Sequence, residues 1–403
     1  MKILHTSDWH IGKKLLDKER FDEQQSVMDE IVDIANREAV DMVIVAGDLF
    51  DTYMPSSSAQ HLLYTTLYRL SENGTRAVVC IAGNHDSPER VESPEALADV
   101  SGIFLLGYPN TKIEELETTG NIKVTKTDEG FMELRLPNVD YPVRMIYTPF
   151  ANQERLRKLF EMDDKEAQLR DELQRRWTHL ADTYCTDGEG VNLLATHLFV
   201  IKDSTDNTSE PDDENSINVG GTSAIYVDNF PTEIQYVALG HLHRCFKVGS
   251  RNIWYSGSPL EYSFAESEQD KYVLVSTIEP NQEPATKKVP LQSGRRLVTG
   301  VFESVDDAKQ WLTEHQDMWV DMTLKTDNYL TATEVKELHQ LHDKILILRP
   351  VVKTESYESQ SGEKIEELIK DKEALFVSFF KQRNKGVEPN EEIMDLFHEI
   401  LSK

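Results

Sequence analysis

Five short stretches of the chain finish in residue types that bind metal ions. "TSDWH" supplies Asp8 and His10, "AGDLFD" supplies Asp48, "AGNHD" supplies Asn84 with His85 beside it, "THLF" supplies His197, and "GHLH" supplies His241 and His243. Carboxylate and amide oxygens mixed with imidazoles, and no thiolate, suit Mn²⁺, Mg²⁺, iron or Zn²⁺ better than a thiophilic ion. Leaving His85 aside, the seven candidate donors are too many for one four-coordinate ion and about right for two ions sharing a bridging carboxylate. Two divalent ions about 3.5–4 Å apart can clamp a phosphate and stabilise both the attacking and the leaving oxygen. The chemistry expected is therefore phosphoester hydrolysis. His85 remains free to face the phosphate, steadying transition-state charge or protonating the leaving oxygen.

Each stretch also has an ordinary structural reading. Asp8 and His10 could sit in a solvated turn, Asp48 could cap a helix, and Asn84 with Asp86 could simply build a turn. Only the two-metal reading accounts for all five stretches together.

The elements that must position these residues are legible from the apolar pattern. "MKILHTS", "DMVIVAGD", "RAVVCIAGNHD" and "GIFLLG" read as buried strands, with helices over 21–37 and 57–72 between them. Further strands follow at "VRMIYTPF", "VNLLATHLF", "IQYVALGHLH" and "NIWYSGSP", so the fold class is α/β. In such folds the carboxyl ends of the strands line the usual site crevice, which brings scattered sequence stretches together. Asp8 and His10 would share one side of an extended segment. Gly47, Gly83 and Gly240 precede Asp48, Asn84 and His241, where the missing Cβ lets the chain turn sharply.

Other regions read differently. The charged stretch from Gln153 to Tyr184 is expected to be a solvated helical surface, and "IKDSTDNTSEPDDENS" a loop without regular structure. After Tyr272 the runs "YVLVSTIEP", "RRLVTGVFE", "DDAKQWLTEH", "MWVDMTLKT" and "ILILRP" suggest a small module of strands and helices. From Lys353 the chain is strongly charged and ends in two amphipathic helices separated by Gly386 and Pro389. Phe376, Phe379, Phe380, Met394, Leu396, Phe397 and Leu401 give these helices an apolar face, which either docks on a partner or folds back on its own chain.

At 403 residues the chain is long enough for two or three domains. No secretion signal and no membrane-spanning run are visible, and the three cysteines Cys80, Cys185 and Cys245 are too scattered for a disulfide framework, so a reducing cytoplasm is expected. Cys245 is read as a buried free thiol rather than a ligand. The net charge of −28 runs against nucleic-acid binding unless cations, a partner or local clusters compensate. Lys13, Lys14, Arg20, Arg90, Arg244 and Arg251 lie close in sequence to the candidate ligands and form the expected basic group.

In this order, Asp8-x-His10, Gly47-Asp48, Gly83-Asn84-His85-Asp86, His197 and Gly240-His241-x-His243 resemble the signature of the calcineurin-like metallophosphoesterase superfamily. "KILHTSDWHIGK", "AGDLFDTYMPS", "VALGHLHR" and "YSGSPLEYSF" further resemble the family of nuclease subunits of bacterial SbcCD complexes, over almost the whole chain. The resemblance implies a calcineurin-like core of two packed mixed β-sheets flanked by helices over 1–275, a small α+β DNA-capping domain over 276–352, and C-terminal helices over 353–403 that bind an SbcC-type coiled-coil ATPase. It implies one ion held by Asp8, His10, Asp48 and His243, a second by Asp48, Asn84, His197 and His241, and His85 as the catalytic histidine. Mn²⁺ is the implied cofactor, with Mg²⁺ the alternative. The implied activity is cleavage of double-stranded DNA ends, 3′ to 5′, and of single strands and hairpins, in repair, recombination and replication, by a nucleoid-associated protein under ATP control. Archaeal relatives carry a His where this chain has Asp51, so Asp51 is given no catalytic role. A homodimer within a heterotetramer is also implied, through "SSSAQHLLYTTLYRL" and the stretch after Pro94. There Leu62, Leu63, Leu67 and Leu70 either face a partner or line the core. A small-molecule phosphodiesterase or phosphatase of the same superfamily is the alternative function, and a non-catalytic scaffold would need a vestigial site.

Overall fold

The computed structural model describes residues 1–156, 165–206, 224–267, 269–327 and 330–352, together with Phe376, Val377, Phe380, Pro389, Ile393, Met394 and Phe397. The acidic insert from 207, residues 157–164 of the charged helical stretch, and Phe379, Gly386, Leu396 and Leu401 of the tail lie outside the described residues. The chain divides into two compact units. One comprises Met1–Gly300, Leu312–Met322 and Leu341–Leu348, the other Val301–Trp311, Thr323–Gln340 and Arg349–Lys403.

Two mixed sheets build the first unit. In the first, β1 (Lys2–Thr6), β2 (Met42–Ala46), β3 (Ala77–Ile81) and β4 (Ile103–Leu106) run parallel. The second contains β5 (Leu116–Glu117), β6 (Lys123–Asp128), β7 (Phe131–Arg135), β8 (Val143–Thr148), β9 (Val191–His197), β12 (Tyr236–Gly240), β13 (Phe246–Lys247) and β14 (Ile253–Tyr255). Its order is β13-β14-β12-β9-β8-β7-β6-β5, and β10 (Val200–Ile201) with β11 (Ile225–Tyr226) forms a separate short pair. β15 (Tyr272–Thr277) and β16 (Ala285–Pro290) return antiparallel to the first sheet, giving the order β16-β15-β1-β2-β3-β4. The core sheet thus extends past residue 275, because β16 takes its hydrogen bonds from β15. β2 and β3, "MVIVA" and "AVVCI", are buried at every position, as parallel strands covered on both faces must be.

Helices cover the outer faces. α1 (Phe21–Arg37) places Val27, Met28, Ile31, Val32, Ile34 and Ala35 on one stripe, with Asp22 and Glu23 in its first turn and Arg37 in its last complementing the helix dipole. α2 (Ser57–Leu70) starts at Ser56, whose hydroxyl accepts from Ala59 N at 3.2 Å. Leu62, Leu63, Leu67 and Leu70 are buried among α1 and the first sheet, so they line the core and do not face a partner. Between the two sheets lies a second apolar layer, with Ile3, Ile44, Ala46 and Phe104 from one and Tyr147, Leu193, Tyr236 and Ala238 from the other. After the short helices α3 (Pro88–Glu92) and α4 (Glu95–Ala98) the chain reaches β5 to β7, whose charged and threonine-rich text carries no strong strand signal.

The charged stretch, expected to be solvated, is α5 (Lys165–Tyr184), and it has a buried face of Leu169, Leu173, Trp177, Leu180 and Ala181 at helical spacing. Trp177 stacks on Phe230 with ring centroids 4.8 Å apart and donates its indole N–H to Thr148 Oγ1 at 2.9 Å. Trp177→Ala is expected to cost about 3–5 kcal/mol, read as a lower urea midpoint. A change near zero would place the ring outside the core.

The later part of the chain carries β17 (Arg296–Phe302), α6 (Val305–Glu314), β18 (Met318–Thr326), α7 (Ala332–Leu341) and β19 (Ile345–Val352), with sheet order β17-β18-β19. In the tail, Phe376 stacks on Phe397 with centroids 4.2 Å apart, so the two stretches flanking Pro389 touch one another. Cys80, Cys185 and Cys245 are buried free thiols. Among the described residues no helix is long and apolar enough to cross a membrane.

Candidate metal centre

All seven candidate donors leave from the carboxyl ends of five strands. Asp8 and His10 follow β1, Asp48 follows β2, Asn84 follows β3, His197 ends β9, and His241 and His243 follow β12. Three of these strands belong to the first sheet and two to the second, so the site sits on the seam between the layers.

Asp8 and His10 do not reach the site by strand alternation. β1 stops at Thr6, and both residues have positive φ, 52° and 43°, as do Asp48 at 49° and His241 at 105°. This left-handed backbone coils each candidate donor inward at an energetic cost that the surroundings must sustain. Backbone bonds from Asp8 N to Gly47 O and from His10 N to Asp48 O, both 2.9 Å, lock the first two loops together. Gly83 and Gly240 serve close approach rather than turning. A Cβ on Gly83 would stand 2.0 Å from Asp48 Oδ1, and one on Gly240 would stand 1.8 Å from Ala46 O. Gly47 combines both demands, with φ at 94° and His197 Nδ1 only 2.1 Å from an added Cβ.

The donor atoms converge. Asp48 Oδ2 lies 3.5 Å from His10 Nε2 and 3.3 Å from His197 Nε2, while its Oδ1 accepts from His85 N at 2.9 Å. One carboxylate oxygen is thus aimed at the midpoint of the site and the other is tied to the loop. His10 Nε2 and His243 Nε2 are 3.1 Å apart, and Asn84 Oδ1 is 2.9 Å from His197 Nε2 and 3.3 Å from His241 Nδ1. Asp8 Oδ1 accepts from His241 N at 2.9 Å and its other oxygen from the Ser7 hydroxyl. All seven are at most 7% exposed.

This set fits divalent cations. His197 Nδ1 faces the Ala46 carbonyl at 2.8 Å and must donate to it, which turns the Nε2 lone pair of a neutral ring toward the amide oxygen of Asn84. His243 Nδ1 likewise donates to Glu266 at 3.1 Å, leaving its Nε2 pointed at His10. Acceptors face acceptors across the site, the arrangement a shared cation resolves. His10 Nδ1 and Asn84 Nδ2 are buried without hydrogen-bond partners among the described residues. The pocket is strongly negative: burial pulls His197 down, but the Asp48 and Asp8 carboxylates outweigh it and hold the ring up at about 9, so a cation that binds here takes the place of the ring's second proton. Burial pushes the Asp48 carboxyl up, yet His197, His85 and His10 hold it well below the usual carboxylate range.

His85 is oriented differently. Its Nδ1 donates to the Asp51 carbonyl at 2.9 Å, its ring meets His10 edge-on at 4.7 Å, and at 9% exposure it is the most accessible of the eight residues. Trp9 is fully buried and donates to Thr6 Oγ1 at 3.0 Å.

Several supporting residues carried no signal in the sequence. Glu266 links His243 to Lys271, whose Nζ lies 2.5 Å from the carboxylate. Burial pushes Glu266 up, but His243 and Lys271 outweigh it and bring it to about 2. Asp51 Oδ1 stands 3.8 Å from His10 Nδ1 and 3.3 Å from Lys13 Nζ. The expected basic group is smaller than its text. Arg20 is buried against Glu23 and the Glu261 carbonyl, and Arg251 donates to the carbonyls of Phe230 and Pro231. Lys14, Arg90 and Arg244 are exposed and Lys13 is half-buried.

Known proteins match at two levels. The calcineurin-like phosphoesterase family model matches residues 1–245. The SbcD component of the SbcCD nuclease of Bacillus subtilis (strain 168) is 32% identical over 411 aligned positions, covering 100% of this chain and 98% of that protein. Its counterpart in the SbcCD nuclease of Staphylococcus epidermidis is 28% identical, over 94% of this chain and 93% of that one. A crystal structure of a dimetal phosphatase from Danio rerio superposes with a TM-score of 0.38 at 12% identity, over 71% of this chain and 98% of that one.

Proposed function

Because the chain belongs to the calcineurin-like phosphoesterase family and, within it, to the SbcD components of SbcCD nucleases, we propose that it hydrolyses DNA phosphodiester bonds as the nuclease subunit of a complex with an SbcC-type ATPase. The observation that carries the reading is the convergence of seven donors from five strand ends of two sheets on one buried site. Asp8, His10, Asp48 and His243 would hold one divalent ion, and Asp48, Asn84, His197 and His241 a second, with Mn²⁺ favoured over Mg²⁺ by the imidazole-rich set. When bound, the ions supply Lewis-acid stabilisation of charge developing on the phosphate.

The chain's own residues do the rest. Asp48 presents Oδ2 to both halves of the site while its Oδ1 holds the His85 amide, so the bridging carboxylate and the histidine are placed by one group. The bond to the Asp51 carbonyl fixes the His85 Nδ1 proton and leaves Nε2 for the phosphate; with a second proton on Nε2 the ring either donates to a developing negative oxygen or gives that proton to the leaving one. Buried walls keep bulk water from screening these interactions.

Substrate and assembly follow the same reading. DNA ends and hairpins are met by Lys13, Lys14, Arg90 and Arg244, the members of the basic group that are exposed or half-buried. The β17-β18-β19 module caps the DNA and the tail holds the ATPase. Pairing with a second copy leaves out the four core leucines of α2. The site of action is the cytoplasm, at the nucleoid. A small-molecule phosphodiesterase is not favoured, since the nuclease relatives match the chain over its full length.

The test is to mix the full chain with its ATPase partner and end-labelled hairpin duplex DNA, with Mn²⁺, Mg²⁺ or a chelator, with and without ATP. Hairpin cleavage that requires Mn²⁺ and responds to ATP is expected. Hydrolysis of small phosphodiesters with DNA left intact would overturn the reading.

A further inference from the structure

We propose that Arg155 is a positioning residue of the site, clamping the loop that carries Asn84 and His85 by the backbone carbonyls on either side of them. The inference rests on the reading of Asn84 as an ion ligand and His85 as the phosphate-facing group. Arg155 is 5% exposed and lies in the turn after β8, where its own N–H caps on Asn152 Oδ1 at 2.9 Å. Its Nη1 donates to Gly83 O at 2.7 Å and its Nη2 to Asp86 O at 2.8 Å. These two carbonyls bracket Asn84 and His85. A planar guanidinium offers two donors at fixed separation, which an ammonium cannot do.

The Gly83 and His85 backbone amides of the loop are satisfied elsewhere. Asp86 carboxylate oxygens accept from Gly83 N at 2.8 Å and from Leu49 N and Phe50 N at 3.0 Å, and Asp48 Oδ1 accepts from His85 N. Those bonds tie the loop to the segment after β2. Arg155 supplies the complementary tie to the other sheet, from the carbonyl side. Its seat is itself fixed: the guanidinium lies 5.0 Å from the Phe150 ring centroid, Phe150 N donates to Ala82 O at 2.8 Å, and Nη2 also donates to Tyr53 OH at 3.1 Å. Without the clamp, the fold of both sheets remains supported by their cores, while Asn84 Oδ1 and the His85 ring lose one of the two ties that set their height over the site.

The experiment uses the full chain, wild type, Arg155→Ala and Arg155→Lys. Four readouts are taken: melting temperature, Mn²⁺ affinity by calorimetry, hydrogen exchange of the peptide containing Gly83–Asp86, and kcat and KM on hairpin DNA with the ATPase partner. Arg155→Ala is expected to weaken Mn²⁺ binding about 10–100-fold, as loss of an outer-shell partner does, and to lower kcat about 100-fold, as misplacement near 1 Å does. KM for DNA is expected to be unchanged and exchange at Gly83–Asp86 faster. Arg155→Lys is expected to remain impaired, and free guanidinium added to Arg155→Ala to restore part of kcat. If Arg155→Ala does not fold, Arg155→Lys carries the same readouts. Wild-type Mn²⁺ affinity and exchange in the variants would overturn the proposal. So would an activity loss that follows the melting temperature and is not restored by guanidinium. Wild type that cleaves no DNA would overturn the functional reading instead, with affinity and exchange still deciding for or against the clamp.

Discussion

Replacing His85 with alanine is expected to lower kcat for DNA cleavage by about 10²–10⁴-fold, the range for loss of a general acid or base, with Mn²⁺ affinity close to wild type. The separation follows from geometry. The His85 side chain bonds to the Asp51 carbonyl and stands edge-on to His10, but its attachment to the Asp48 carboxylate is through its backbone N–H, which alanine retains. The candidate donor side chains therefore keep their supports when the ring is removed. Two roles can be told apart by leaving group. If His85 protonates the leaving oxygen, a nitrophenyl phosphodiester, whose leaving group needs no proton, will lose much less rate than DNA does. If it stabilises charge on the phosphate, both substrates will lose rate alike. Calorimetry with Mn²⁺ and single-turnover cleavage make the measurement, and undiminished cleavage by His85→Ala would remove the residue from the chemistry.

Gly83→Ala is expected to do the opposite, abolishing ion binding as well as activity. The added Cβ would fall 2.0 Å from Asp48 Oδ1 and 2.3 Å from Asp48 N, inside contact distance of the carboxylate proposed to serve both ions. One of these neighbours is backbone and cannot swing aside, so either the Asn84 loop or the Asp48 loop must shift. Overpacking of this kind costs about 1–3 kcal/mol in stability, which predicts a lower melting temperature with loss of Mn²⁺ binding. A folded Gly83→Ala protein that binds Mn²⁺ normally would mean the two loops lie farther apart than described.

Much of this arrangement was legible because strand and motif coincide in the text. Continuous apolar runs such as "MVIVA" and "AVVCI" mark buried parallel strands, and each ligand stretch follows directly on such a run, so a rule about strand ends was enough to gather them. How the ligands turn inward was not legible. Asp8 and His10 adopt left-handed backbone that is sustained by bonds to the Asp48 loop, a tertiary constraint with no local signature. Residues that act singly were also missed. Glu266, Lys271 and Arg155 are ordinary charged residues in the text, and only burial and partners set them apart. The converse error has the same origin: Arg20 and Arg251 look like surface cations until the structure shows their guanidinium groups spent on a carboxylate and on carbonyls within the protein. Trp177 was hidden by the charge of its helix, since five core positions among many acids and bases barely raise the apolar count.

Because Asp8, His10, Asp48 and Asn84 hang from one sheet and His197, His241 and His243 from the other, neither layer by itself would supply all the proposed ligands of either ion. The ions would act as rivets through both layers, and their retention would report how squarely the layers lie on one another. A lesion in the apolar filling between the sheets, at Phe104 or Tyr236, would then reach the bench disguised as a manganese-affinity defect, in a protein whose ligands are all intact.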